Sequence, residues 1–454
     1  SLDISNFKTN NVENMEGMFM YCTNLTNLNL RNFDVSEVTH MGSMFLSCLS
    51  LTHLDLSSFV TSKVENMWSM FYKCSSLRSL DISRFDFANT KNIARMFYGC
   101  SSLGSLSLSN FHTTKNVERM DSLFEGCESL TSLDFSNFST QKVATLSNMF
   151  SDCSSLKRLN LNYPNFDTSH VSTMYEMFSG CTSLERLDIS QFNTALLYET
   201  EKMFLNCHSL FSLNLNNFYG KSVTRIQSMF ENCYSLQSLD LSNFQASPTS
   251  LNYVFQNCYS LEKLTISQIK TENVRSALSS FENCTALVSL DLSNFIMPVS
   301  ITALKMFKNC YSLTNLKLTN LDTSGTIIMT SMFESCGKLK SLDLSNFDTQ
   351  HVKNMSYMFK GCDELEEIDL SGFNVGEVEN MSFMFYDCNS LKNLDLSSFE
   401  TKKLKQMDYI FEDCNKITAM PTIPNGVTNM CGAFSYCSNL TTFSNIPETV
   451  KNIY

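Results

Sequence analysis

The sequence predicts an α/β repeat solenoid of about 17 short units, each a strand, a turn and a short helical segment. Three observations carry that reading. First, cysteine falls at 22, 48, 74, 100, 127, 153, 181, 207, 233, 258, 284, 310, 336, 362, 388 and 414, and a shortened last unit places Cys437 in the same slot. The steps are 26 residues, apart from single steps of 27, 28 and 25. Second, phenylalanine stands three residues before every one of these cysteines, from Phe19 to Phe434. A second column lies eleven residues after them, as at Phe33, Phe59, Phe85, Phe347 and Phe399. Third, leucine follows the cysteine at +3 and +6, with Leu or Ile at +8, as in Leu339, Leu342 and Leu344.

Each element follows from its local period. The L-x-x-L-x-L stretch ends in apolar/polar alternation, which is the period of a strand. Val352, Met355, Met358, Phe359, Cys362 and Leu365 step by three or four, which is helical spacing, and Asn354 stands where an N-cap would. A unit this small cannot bury its apolar face alone, so neighbours must stack and share one core. Parallel strands stack about 4.8 Å apart, whereas packed helices need about 8–10 Å. The array is therefore expected to curve, with strands on a concave face and helical turns on a convex one. The expected limits are a solenoid over 1–417 and a divergent terminal repeat or cap over 418–454, where "IPNG" and "IPET" replace the strand-turn.

Composition narrows the partners. A net charge of −12 argues against a nucleic-acid backbone or an anionic membrane surface as the main partner. No apolar run approaches the roughly 18 residues a membrane span needs. No charged leader followed by an apolar segment opens the chain. The first residues, "SLDISNF", enter mid-repeat and in register. The chain is thus expected to be a fragment whose signal and anchor lie outside it.

The repeat L-D-L-S-x-F-D-T-x-x-V-x-N-M-x-x-M-F-x-x-C resembles the leucine-rich-repeat signature, and within it the 26-residue repeat of BspA-like bacterial surface proteins and mycoplasma lipoproteins. The match runs over about residues 1–417. The tail is similar to the I-P-x-x-V variant of the same superfamily. The resemblance implies an extracellular, cell-surface location and a part in adhesion or protein binding, with a host or extracellular-matrix protein as the kind of ligand. This chain departs from ordinary leucine-rich repeats where they carry a buried Asn or Cys, because Phe33, Phe59 and Phe347 occupy that position. An aromatic spine is expected in place of an asparagine ladder.

Four sets of residues could carry chemistry. The cysteine column lacks the paired spacing of metal sites. Helix spacing would also hold its members beyond the roughly 7 Å that a disulfide allows, and the six histidines share no column. It reads as small apolar packing. Cys431 lies outside the column in a variable slot and is expected to be an exposed thiol. An aspartate column (Asp3, Asp55, Asp81, Asp134, Asp188, Asp240, Asp291, Asp343, Asp369, Asp395) should line the inner face. Its like charges would be offset by the neighbouring serines, or less readily by a divalent cation. Relief of that repulsion makes Asp343→Asn neutral or mildly stabilising on this reading. The methionine stripe at helical period reads as core.

Binding is expected where the repeat is irregular. Lys157, Arg158, Glu185, Arg186 and Phe211 replace small residues on the inner face, beside the two-residue excess at Tyr163 and Pro164. Arg and aromatic side chains are the usual anchors of interfaces. A second irregularity lies at 263–321, where Thr265 and Lys317 interrupt the aspartates and Ile269 and Leu321 interrupt the phenylalanines. The predicted function is a cell-surface protein-binding or adhesion module without catalysis, cofactor or metal. The alternative is a structural, self-assembling surface or spacer protein. No P-loop and no conjunction of nucleophile, base and oxyanion donor points to an enzyme.

Overall fold

The computed structural model describes residues 2, 4 and 6–453, apart from 297–301, 322, 393, 397, 398 and 400–402; Asp3 falls outside them. The chain forms two compact units, Ser1–Val223 and Thr224–Tyr454. In each, leucine-rich repeats coil into a solenoid of stacked rungs, as the period requires. No helix among the described residues is long and apolar enough to cross a membrane.

The strand side follows the L-x-L alternation. In the first unit β1 (Ser79–Leu80) pairs in parallel with β2 (Ser105–Leu106), and β3 (Arg186–Asp188) with β4 (Ser212–Asn214). In the second, β5 (Ser238–Asp240) pairs with β6 (Lys263–Thr265), and β7 (Ser289–Asp291) with β8 (Asn315–Lys317). The register sets leucine against leucine, as at Leu239 and Leu264, which turns those side chains into the core and their neighbours outward.

The opposite side is not helical. Among the described residues there is no α-helix, and the only helical segment is a six-residue 3-10 turn, Phe111–Asn116. The stretch around each Met-Phe-Cys is instead a run of tight turns. In every rung the residues five and one before the column cysteine have positive φ: Ser43 and Ser47 in one rung, Tyr357 and Gly361 in another. Positive φ at the third place of a four-residue turn is what type II geometry demands. Backbone donors then split two ways. Met44, Leu46 and Cys48 donate within their own rung, to Met41, Ser43 and Phe45. Met41, Ser43, Phe45 and Ser47 donate to Asn66, Trp68, Met70 and Tyr72 of the next rung. Overlapping turns repeat every four residues and so bury side chains at i, i+3, i+4 and i+7, which is why the sequence mimics a helix. Asn354 is accordingly not an N-cap. Its Oδ1 accepts the Ser356 N–H (2.9 Å), and its backbone bridges to Ile328 and Asn380.

Side chains repeat the same rung-to-rung bonding. The phenylalanines before each cysteine form near-parallel stacks, as in Phe45–Phe71 at 5.6 Å and 5°. The buried threonine two residues after the second Phe column bonds the next rung's backbone. Thr61 Oγ1 donates to the Asp86 carbonyl (3.0 Å) and accepts its N–H (2.8 Å), and Thr349 donates to the Asn374 carbonyl (2.9 Å). An asparagine ladder is present beside the aromatic spine, contrary to expectation. The asparagine just before the second Phe column bonds the previous rung's turn: Asn110 Nδ2 donates to Ile82 and Phe85 carbonyls (both 2.8 Å), and Asn320 Nδ2 to Ser293 (2.6 Å). The tail continues the stack in shorter steps, with Gln406, Asn429 and Asn452 bridged in sequence.

Phe359 is fully buried between Phe333 (5.5 Å) and Phe385 (5.4 Å). Phe359→Ala should therefore cost about 3–5 kcal/mol, read from denaturant unfolding. A loss below about 1 kcal/mol would show that the stack is not part of the stabilising core.

Candidate functional site

The irregular rungs of the first unit build a hollow on the strand side. Backbone pairing places it: Arg158 bridges Arg186 in parallel, and β3 pairs Arg186 with Ser212. Both arginine side chains thus stand outward on adjacent rungs, with Cα atoms about 4.8 Å apart. One residue earlier in each rung, Glu185 N–H donates to the Lys157 carbonyl (3.2 Å), and Phe211 N–H to the Glu185 carbonyl (3.1 Å). The Arg186 guanidinium lies over the Phe211 ring, 4.7 Å from its centre, in cation–π contact.

Together Arg158, Glu185, Arg186 and Phe211 line a hollow of about 870 Å³ with Asn160, Asp188 and Asn214. The outward arginines make its walls, and Leu133, Leu159 and Leu187 make its floor. Lys157 is exposed on the adjoining column and does not line it. Phe211 is half-buried, held down by the guanidinium above it. Among the described residues neither arginine has a carboxylate within salt-bridge distance. The nearest acid on the same strand, Asp188, is already engaged. Burial pushes its carboxyl up, but bonds from Ser190 (2.9 Å to the backbone N–H), Asn162 and Asn214 outweigh that and leave it below the usual range.

Two further hollows adjoin. One of about 600 Å³ surrounds Tyr163 and Pro164 and shares Asp188 with the first. The other, about 560 Å³ beside Tyr219 and Lys221, shares Ser190, Gln191 and Asn193 with the second. Sequence reasoning found the charged and aromatic walls and set Asp188 on the inner face within the aspartate column, but missed Asn160 and Asn214. Asn160 and Asn214 each break the aspartate column, so the search for irregular positions would have reached them.

The other irregular stretch behaves differently. Lys317, standing in the aspartate column, pairs with Asp291 of the previous rung (3.1 Å). Ile269 and Leu321 are buried in place of phenylalanine.

The cysteine column is structural, for a reason the sequence did not show. Thiols along the column from Cys48 onward donate to the carbonyl of the Phe one rung back, as from Cys48 to Phe19 (3.2 Å) and Cys362 to Phe333 (3.3 Å). That carbonyl also accepts the N–H of its own rung's cysteine, as Phe19 does from Cys22 (3.1 Å). The back-face rungs are thus joined by direct hydrogen bonds, and the wider helix spacing assumed for the cysteines does not occur. All eighteen cysteines are nonetheless free thiols. Burial pushes Cys100 and Cys310 up to about 12. Cys431, expected to be exposed, is only partly so.

The aspartates are bonded along their own strands. Asp343 Oδ1 accepts the Ser345 N–H (3.0 Å) and hydroxyl (2.7 Å), and these bonds hold its carboxyl below the usual range. Serine bonds do the same at Asp55 and Asp291, with help from Arg31 and Lys317, bringing both to about 2. The charged form is favoured, so like-charge repulsion does not dominate. Among the described residues no three His, Cys, Asp or Glu side chains are grouped to hold a metal.

Two outcomes follow from these columns. A maleimide applied to the native protein should label only Cys22, Cys431 and Cys437, the three cysteines not fully buried. Rapid modification of Cys310, read by peptide mass spectrometry, would contradict the packing. For the aspartates, a lowered folded pKa contributes stability that is present above about pH 4, the unfolded value, and lost as pH falls through about 2. Unfolding midpoints should drop over that window. Asp343→Asn should be mildly destabilising at neutral pH, reversing the expectation from charge repulsion, and should shrink the acid-dependent drop. An unchanged drop would mean that the aspartate does not contribute to it.

The sequence matches the family described as "Mycoplasma protein of unknown function, DUF285" over residues 1–111, 78–185, 105–210, 156–244, 186–295, 232–341 and 302–422. No curated protein matches it. Among solved structures, a leucine-rich repeat protein from Bacteroides ovatus is similar over 80% of this chain and 78% of its own, at 18% identity and a TM-score of 0.46. A leucine rich cell surface protein from Faecalibacterium prausnitzii is similar over 72% of this chain and 82% of its own, at 18% identity and a TM-score of 0.35. An internalin from Listeria monocytogenes is similar over 77% and 84%, at 15% identity and a TM-score of 0.25.

Proposed function

The chain belongs to the DUF285 repeat family, and from that premise we propose that it is a cell-surface binding module whose protein partner docks on the strand face of the first unit. One observation carries the reading. Arg158, Glu185, Arg186 and Phe211 converge on a single hollow, and among the described residues neither guanidinium has a carboxylate within salt-bridge distance. Regular rungs present short polar side chains such as Ser79, Ser105 and Ser289 on that column. An exposed arginine pair beside a half-buried ring is the composition of an interface anchor. Both arginines are exposed on the strand face. The repeat scaffold supplies a rigid face, so little ordering is needed at the anchor on binding.

The test is a binding screen of the purified chain against extracellular-matrix and plasma proteins. A saturable partner should lose more than about 1 kcal/mol of affinity with Arg158→Ala, Arg186→Ala or Phe211→Ala, while the unfolding midpoint of the arginine variants stays put. If no partner saturates and the protein instead forms ordered assemblies, the docking reading fails and the structural one replaces it.

A further inference from the structure

We infer that the group recognised in this hollow is a carbohydrate chain, carried by the partner, rather than a bare polypeptide segment. The inference rests on the docking reading above and specifies its ligand. The chemistry of the lining decides it. The hollow offers both signs of hydrogen-bonding group. Arg158 and Arg186 are donors only. Glu185 and the ionised Asp188 are acceptors. Formal charges cancel across these four, so a strongly anionic segment has no net attraction to the site.

What fits is a neutral framework that presents donors and acceptors together at close spacing. Vicinal hydroxyls do so, since each both donates and accepts. The planar amide, carboxylate and guanidinium groups can meet adjacent hydroxyls in pairs. The Phe211 ring, beneath Arg186, adds apolar surface to the same lining for the C–H groups of a sugar.

Length argues the same way. The first hollow runs into the second at Asp188, and the second into the third at Ser190, Gln191 and Asn193. Tyr163 and Tyr219 stand along this path. Successive hollows of mixed polar and apolar lining, each with an aromatic ring, suit a chain of several sugar units. An extended peptide adding as a strand would need a row of free backbone donors and acceptors. The strands here spend theirs on neighbouring rungs.

The experiment uses the full chain against a printed panel of defined oligosaccharides, neutral and uronic-acid-bearing. Parallel arms carry an acidic peptide and a plasma glycoprotein before and after enzymatic removal of its glycans. Saturable binding to a subset of the oligosaccharides is expected, with loss from the glycoprotein once its glycans are removed. Arg186→Ala and Phe211→Ala should each lower oligosaccharide affinity at least about tenfold, equivalent to 1.4 kcal/mol. Glu185→Gln and Arg158→Gln, at positions not fully buried, give the same reading should Phe211→Ala fold poorly. Binding to the deglycosylated protein or the peptide, with no oligosaccharide bound, overturns the carbohydrate assignment and leaves docking intact. Absence of all binding overturns both.

Discussion

The structure depends on one division of backbone hydrogen bonds. On the back face of each rung, alternate N–H groups turn inward to the rung's own carbonyls and outward to the next rung. Both demands are met only if two residues per rung take positive φ, and in every rung they do. Residues such as Glu176, Lys202 and Phe383 hold this conformation although it is unfavourable for them, by about 1–3 kcal/mol each. Satisfied backbone donors offset that cost, since a buried N–H left unpaired would cost a comparable amount.

The side-chain columns follow from this spacing. Rungs joined by backbone bonds bring equivalent side chains into register, so identical residues stack on themselves. Phenylalanine gains most, with ring centres near 5.5 Å and planes nearly parallel in both units. Threonine and asparagine bond the adjacent backbone at the corners. Cysteine is small enough to sit under the Phe carbonyl of the previous rung and carries a donor that reaches it. Alanine would fit but would donate nothing, and serine would bury a more polar group. The column that looked like redox or metal chemistry is a hydrogen-bond ladder of neutral thiols.

Candidate function sits where the columns are interrupted. A residue that repeats in every rung is committed to its neighbours. One that does not, such as Arg158, Arg186 or Phe211, is free of that duty and faces outward. The same logic separates the two irregular stretches. At Lys317 the odd residue is neutralised by Asp291 and closes on itself. At Arg186 the neighbouring Asp188 is already bonded to Ser190, Asn162 and Asn214, so the guanidinium stays available.

The repeat, the core columns, the strand side and the arginine–phenylalanine cluster were all legible in the sequence, because side-chain period and chemical type are written residue by residue. The back face was not. Turns that overlap every four residues and a helix of 3.6 bury the same positions, so apolar spacing cannot tell them apart. The one local clue was Gly, Asn or Asp immediately before so many of the cysteines, as at Gly99, Asn257 and Asp387, where positive φ is best tolerated. Only the tertiary structure could choose, because the deciding bonds run between residues about 26 apart. Their existence depends on the neighbouring rung being in place. The same holds for the thiol ladder and the asparagine ladder, whose partners are supplied by stacking and not by adjacency in the chain; at Asp188 stacking adds Asn162 and Asn214 to the local Ser190.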